Sequence, residues 1–211
     1  QVAYAKDDAW RGAWAREPWH CVSYNSCHDN HALWDKLALT AAAEPEAMRV
    51  RMNKLAAAIV LTAQGISFLH AGEEFARTKK GVENSYNKPD SVNAIDWRRK
   101  QKFAGLVDYY RGLIALRRAT PEFRLSSAAE IRKRLAFLPA AQPGVVAFLI
   151  AGAARTLLVV YNANRTPVPV AIPDGRWRVL VDGDRAGTKP LRTVRGDSVQ
   201  MSPVSALVLA S

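Results

Sequence analysis

Residues 20–30 read HCVSYNSCHDN, a short apolar run that ends in a polar cluster. Residues 20–26 are rich in apolar side chains and partly β-branched, which predicts a short buried strand. The ionisable side chains of His28 and Asp29 then lie in the loop just beyond the carboxyl end of this strand. In parallel α/β folds, functional side chains collect at that end of the strands.

The same arrangement occurs again downstream. Residues 66–69 predict a second short buried strand, and a polar cluster at residues 70–74 follows it. Helical spacing of apolar residues predicts helices at residues 46–61 and 103–118, the second with an apolar side that serves as core. Two strand–helix units leave open sheet edges. We therefore expect them to be the last two units of a (β/α)₈ TIM barrel whose first six units lie elsewhere.

From residue 131 onward the pattern changes to short β-rich runs that are separated by turn residues. Runs of this length with regular turns predict an antiparallel β-sandwich. Residues 1–125 are thus predicted to be the C-terminal part of the barrel, and residues 126–211 a C-terminal sandwich domain. The predicted strands are residues 132–138, 145–150, 156–161, 168–172, 177–181, 198–201 and 206–209.

Charge and hydropathy argue against two classes of partner. The chain has 211 residues and a formal net charge of +11 at pH 7, which raises the question of nucleic-acid binding. Its basic residues are scattered and are not interleaved with aromatic residues as in a single-strand binder, so we expect no nucleic-acid partner. No stretch approaches eighteen uninterrupted apolar residues, so we expect no membrane-spanning helix. The sequence shows no basic-then-apolar leader and leaves the compartment open.

Cys21 and Cys27 are the only cysteines in the sequence. On an extended strand, six residues would separate them by about 20 Å, which is too far for a disulfide. No second pair of ligands accompanies them, so a metal site is not expected. We expect both to be packed thiols.

His28 and Asp29 form the candidate functional centre. An Asp directly after a strand is often a turn or helix-capping residue, and a His can be a hydrogen-bonded buried side chain. Their adjacent positions favour a shared ligand instead. A His and an Asp side by side can make several hydrogen bonds to neighbouring hydroxyl groups of a sugar.

Three ordered segments, together with the β-rich C-terminal region, resemble the type I pullulanases, which are debranching enzymes of the α-amylase superfamily. Residues 24–35 (YNSCHDNHALWD) resemble the fourth conserved region of the superfamily, and residues 64–75 (QGISFLHAGEEF) its strand-eight region. Residues 83–97 (ENSYNKPDSVNAIDW) resemble a pattern of type I pullulanases that isoamylases lack.

The resemblance implies a role for each candidate residue. Asp29 would be the third catalytic carboxylate, which binds and distorts the sugar and stabilises the transition state. His28 would help to hold the same sugar ring. Glu73 and Glu74 would support the site, and a purely structural role fits them better than a catalytic one. The further residues that would bind substrate are Asn30, Trp34, Asn84, Tyr86 and Asn87, of which the last three also fit an ordinary loop.

The implied reaction is the hydrolysis of α-1,6-glucosidic branch points in pullulan, starch or glycogen with retention. Retention needs a nucleophile and an acid/base, which the family places after barrel strands four and five. These strands are absent here, so we expect the chain alone to be incomplete and inactive. The expected partners are a branched α-glucan and the upstream barrel segment. No cofactor or metal is expected in this chain, while the resemblance leaves room for calcium in the whole enzyme.

Two other functions remain open. A non-catalytic glucan-binding or interaction module, derived from such an enzyme, would keep Asp29, His28 and Tyr86 as a sugar contact without an upstream partner. A basic nucleic-acid binder would instead show steep salt dependence of its affinity for DNA.

Overall fold

The computed structural model describes residues 15–139 and 142–211. The first fourteen residues of the predicted barrel part therefore lie outside the described residues. Within the described ranges, no helix is both long and apolar enough to cross a membrane.

The two predicted strands of the N-terminal part form a small parallel sheet. Strand β1 (Val22–Ser23) pairs with β2 (Ile66–Ser67), with Val22 opposite Ile66. The prediction that they are buried is wrong, because Val22 and Ile66 are 51% and 48% exposed. Among the described residues each strand has only the other as a neighbour, so one edge of each stays open. Both strands are also shorter than predicted.

The two long predicted helices are confirmed to within about one residue at each end. A third helix of eight residues was not predicted, because its first residue follows Ala32, whose side chain cannot cap a helix. The helices are α1 (Leu33–Thr40), α2 (Glu46–Thr62), α3 (Asp90–Asn93), α4 (Arg99–Lys102), α5 (Ala104–Ala119) and α6 (Ala128–Arg134), with 3₁₀ turns at Pro18–His20, Glu73–Phe75 and Pro121–Arg124.

The C-terminal part is antiparallel, as predicted. One sheet has six strands in the order β3-β4-β5-β10-β7-β8, and a second sheet pairs β6 with β9. The strands are β3 (Leu135–Leu138), β4 (Val145–Ala151), β5 (Thr156–Asn162), β6 (Val168–Ala171), β7 (Arg176–Val181), β8 (Arg192–Arg195), β9 (Ser198–Met201) and β10 (Ser205–Ala210).

Two details of the strand prediction are wrong. The predicted strand at residues 132–138 begins only at Leu135, because the preceding residues belong to α6. The Ser127 hydroxyl accepts the Glu130 N–H, so a Ser-x-x-Glu spacing at the start of α6 marked this helix in the sequence. Strand β8 was missed because a run of four mostly exposed residues carries too short an alternating pattern.

The larger sheet is covered on both faces. On β5, Leu157 and Val159 face α2 and α5, while Leu158 and Val160 face the small β6–β9 sheet. All six residues of β10 are buried as well. The helix-side core contains residues from both predicted parts of the chain. The predicted boundary between residues 125 and 126 falls just before α6 and stays a prediction.

The backbone of α5 approaches the loop after β7 very closely at Gly112. A Cβ built on Gly112 would lie 2.0 Å from the carbonyl oxygen of Ala186. Glycine usually weakens a helix by about 1 kcal/mol relative to alanine, so its presence here reflects this contact. Nearby, the Tyr109 hydroxyl donates to the Asp182 carbonyl at 3.0 Å. These contacts hold α5 against the loop that follows β7 of the large sheet.

We expect Gly112→Ala to lower the free energy of unfolding by about 1–3 kcal/mol, because the new methyl group must push α5 away from the loop. Gly105→Ala is the matched control in the same helix, since nothing lies within 4 Å of a Cβ built there. That change should be neutral or stabilise by up to about 1 kcal/mol. Urea unfolding of the two variants decides the matter, and equal stabilities would contradict the close approach.

Candidate functional site

The loop after β1 presents His28 and Asp29 to solvent. The Nε2 atom of His28 lies 3.3 Å from Oδ2 of Asp29, and the two side chains are 87% and 73% exposed. Asn30 then takes a left-handed backbone conformation with φ of 62°, which asparagine tolerates better than most residues. Asp29 lines an open cleft of about 380 Å³ that Tyr24 and Glu83 also line.

Glu73 ties this loop to the end of β2. Its Oε1 accepts the side-chain amide of Asn25 at 2.9 Å, and its Oε2 accepts the backbone N–H of His70 at 3.2 Å. Burial raises the pKa of Glu73, while these two hydrogen bonds oppose the rise. Glu74 is half-buried and accepts the Gly72 N–H at 3.1 Å. Both carboxylates therefore bind backbone or loop groups, and their predicted supporting role stays a prediction.

Sequence reasoning missed the contacts of His70. Its Nε2 accepts a hydrogen bond from Arg77 at 3.2 Å, so Nδ1 carries the proton that faces the Ser26 hydroxyl at 3.5 Å. Burial lowers the pKa of His70, and the positive charge of Arg77 lowers it further. Arg77 also donates to the carbonyls of Ala71 and Asn93, each at 3.0 Å. A His at a strand end was the only signal in the sequence for this cluster.

A second buried cluster also escaped the sequence reasoning. Asp35 accepts the backbone N–H of Lys79 at 2.6 Å and a hydrogen bond from the Thr78 hydroxyl. Lys79 in turn donates through Nζ to the Ser85 hydroxyl at 2.5 Å. Asp35 is the last residue of the first family-like segment, but nothing in the sequence marked Lys79.

The candidate substrate residues divide into an exposed group and one buried residue. Asn84, Tyr86 and Asn87 are exposed, with Tyr86 at 82%. Trp34 is only 8% exposed and packs edge-on against Phe103, with ring centroids 5.2 Å apart. The structure therefore does not bring Trp34 to the cleft, and its indole is part of the core instead.

The cysteines form no disulfide. Both are free, with Cys21 exposed and Cys27 half-buried, so the prediction of a packed thiol is wrong for Cys21. Cys21 directly precedes Val22, which is itself 51% exposed, so the start of this strand lies at the surface. Among the described residues, no group of three or more His, Cys, Asp or Glu side chains could hold a metal ion.

An exposed apolar surface lies along the two parallel strands beside the cleft. Tyr24 and Phe68 follow β1 and β2, and their rings meet edge-on at 6.2 Å between centroids. Both side chains are nonetheless more than 40% exposed, as are those of Val22 and Ile66 on the two strands. We call this the strand-end surface, formed by Trp19, Val22, Tyr24, Ile66 and Phe68.

The known proteins that this chain resembles are pullulanases. Residues 131–185 match the family model described as the pullulanase all-beta domain. A pullulanase of Bacillus subtilis (strain 168) is 40% identical over 172 residues, which make up 79% of this chain and 24% of that protein. The chain is related to the C-terminal portion of pullulanases.

Solved pullulanase structures share the fold of nearly the whole chain. The enzyme from Bacillus acidopullulyticus matches with a TM-score of 0.89 and 39% identity, over 93% of this chain and 25% of that one. The enzyme from Anoxybacillus sp. LM18-11, complexed with maltotetraose, matches with a TM-score of 0.86 and 37% identity, over 93% of this chain and 28% of that one. The chain thus spans about a quarter of the length of these pullulanases.

The contacts of His70 predict a dependence of stability on pH. The folded-state pKa lies below the ordinary value of 6.5, so the unfolded chain binds a proton first as the pH falls. The free energy of unfolding should therefore decrease as the pH drops from 6.5 towards the lower folded-state pKa.

Replacing this histidine by His70→Gln should reduce that decrease, as measured by urea unfolding at pH 7 and pH 5. The control His20→Gln changes an exposed histidine that does not contact His70, so this variant should keep the pH dependence of the parent. If the free energy of unfolding falls by the same amount between pH 7 and pH 5 in the parent and in His70→Gln, then His70 is not the source of the pH dependence.

Proposed function

We propose that this chain is the C-terminal segment of a pullulanase-type glycoside hydrolase that cleaves α-1,6-glucosidic branch points with retention. In this proposal, residues 1–125 supply the last two strand–helix units of a (β/α)₈ barrel, and residues 126–211 form the C-terminal sandwich domain. Asp29 is the carboxylate that stabilises the transition state. The nucleophile and the acid/base come from barrel strands outside this chain.

One observation carries the proposal: the exposed pair of His28 and Asp29 stands at the carboxyl end of a parallel strand, beside an open cleft. A carboxylate in this position can stabilise the positive charge that develops on the sugar during glycoside hydrolysis. The adjacent imidazole can hydrogen-bond a hydroxyl of the same ring. The pair has the chemistry to bind and distort a glucosyl unit, but one carboxylate cannot also act as nucleophile and acid.

The strand-end surface supports the need for a barrel partner. Parallel sheets built from strand–helix units are normally covered on both faces, and their strands are apolar for that reason. Here the apolar side chains of β1 and β2 are about half exposed. The upstream barrel segment is the occupant we propose for this surface, because further parallel strands would pair with the open edges and close a barrel around the inner face of the sheet.

Glucan binding is proposed for the same site. The Anoxybacillus relative is described as complexed with maltotetraose, a linear glucan. In this chain, the exposed ring of Tyr86 offers a flat face for a sugar, and Asn84 and Asn87 beside it offer amide hydrogen bonds. These three residues and Asn30 form the proposed substrate contacts alongside the pair of His28 and Asp29.

We expect the isolated chain to release no reducing sugar from pullulan, and co-expression with an upstream barrel segment of a pullulanase to restore hydrolysis. The missing carboxylates are the reason for the first result, and the open strand-end surface for the second. If the chain binds glucan but no upstream segment restores turnover, a non-catalytic binding module is the better description. Turnover by the isolated chain would overturn the division of catalytic groups.

In the complete enzyme, Asp29→Asn should lower kcat by about 10²–10³ and change KM much less, because the amide keeps the shape and loses the charge. Asp174→Asn is the matched control, since Asp174 is exposed in the sandwich far along the chain. Steady-state kinetics on pullulan provide the measurement. A variant within threefold of the parent would remove Asp29 from the catalytic groups.

A further inference from the structure

Among the described residues, the most exposed aromatic side chain is that of Tyr86, at the tip of a tight turn that begins two residues after Glu83, which lines the cleft. The Lys88 N–H donates to the Ser85 carbonyl at 3.1 Å, so Tyr86 and Asn87 occupy the two central positions of the turn. Tyr86 is 82% exposed, whereas Ser85 at the base of the turn is 2% exposed. The tip therefore projects into solvent from a buried base.

Ser85 is held from two directions. The side-chain amide of Asn93 donates to the Ser85 carbonyl at 2.7 Å and to the Lys88 carbonyl at 2.9 Å. Lys79 donates through Nζ to the Ser85 hydroxyl at 2.5 Å. Asn93 belongs to the same polar segment as the turn, whereas Lys79 precedes that segment. The hydrogen bond from Lys79 thus connects the turn to the chain segment that precedes it.

Lys79 is itself anchored to the helix that follows the Asp29 loop. Its backbone N–H donates to Oδ2 of Asp35 in α1 at 2.6 Å, and both residues are at most 5% exposed. Burial lowers the pKa of Lys79 and the charge of Arg77 lowers it further, while the carboxylates of Asp29 and Asp35 act in the opposite direction. One continuous series of contacts therefore leads from α1 through Lys79 to the Tyr86 turn.

We propose that Lys79 is a positioning residue that sets the orientation of the Tyr86 turn relative to the Asp29 cleft, and through it the affinity for the glucan chain. This inference rests on the proposed function. A sugar stacks well on an aromatic ring only when that ring is held in place. A turn that must become ordered on binding loses affinity for that reason. Lys79 touches neither the cleft pair nor the proposed reacting groups, so it should affect binding more than chemistry.

In the complete enzyme, Lys79→Met and Ser85→Ala should each raise KM for pullulan about tenfold, because a buried hydrogen bond to a charged group is lost. Ser85→Ala keeps the positive charge of Lys79 that interacts with Asp29, so this variant should also leave kcat within about twofold. Ser85→Thr keeps the hydroxyl and should retain most of the parent affinity. Lys80→Met is the matched control, since the neighbouring Lys80 is exposed. Hydrogen exchange at the Lys88 amide should be at least about tenfold faster in the two disruptive variants, because that amide closes the turn.

The outcomes separate the inference from the proposed function. Unchanged exchange at Lys88, or faster exchange with an unchanged KM, would overturn the role of Lys79. An equal fall in kcat and in protein stability would indicate a merely structural residue and would also overturn it. If the parent enzyme hydrolyses no pullulan, the proposed function fails, and the Kd for maltotetraose then replaces KM in the same set of variants.

Discussion

The guanidinium group of Arg117 is the contact on which the helical part of the fold depends. It is buried in α5 and donates to the carbonyls of Leu61, Ala63 and Gly65, at distances of 3.1, 2.6 and 2.8 Å. These carbonyls lie at the C-terminal end of α2 and in the turn into β2, where a helix leaves its last oxygens without intrahelical partners. A positive charge is also favourable at that helix end. One side chain thereby fixes the positions of α2, α5 and β2 relative to one another.

The six-stranded sheet packs against these helices and separates two hydrophobic cores. Its central strands β5 and β10 are buried on both faces, with helices on one side and the β6–β9 sheet on the other. Arg51 and Lys54 on α2 reach across to the carbonyls of Pro203, Gly183 and Asp184. The helices and the sheet therefore support each other, and the strand ends that carry the cleft rest on this combined core.

At the cleft, the groups that hold the loops are buried and the groups that we propose to contact substrate are exposed. Glu73, Asp35 and Lys79 are each at most 5% exposed, and each is hydrogen-bonded to a loop or its backbone. A buried charge is costly unless such bonds satisfy it, so these contacts restrict the loops to one arrangement. His28 and Asp29 lie above this layer with most of their surface free. Buried hydrogen-bonded groups thus hold the loops, and the polar groups of the proposed sugar site remain open to solvent.

The sequence by itself determined the elements whose residue pattern is long enough to be read. The helices α2 and α5 and the main antiparallel strands follow from apolar residues at intervals of 3.6 or 2, because one face of each element must be buried. The exposed pair of His28 and Asp29 was likewise recognisable from its place after an apolar run. Only the tertiary structure decided which side chains meet across the chain. Asn25 and Glu73 are 48 positions apart, and Asp35 and Lys79 are 44 apart, so no local pattern could bring them together. The same is true of Trp34, which packs in the core, and of β1 and β2, which are exposed: burial depends on which neighbours a segment finds, and a local pattern records only its own residues.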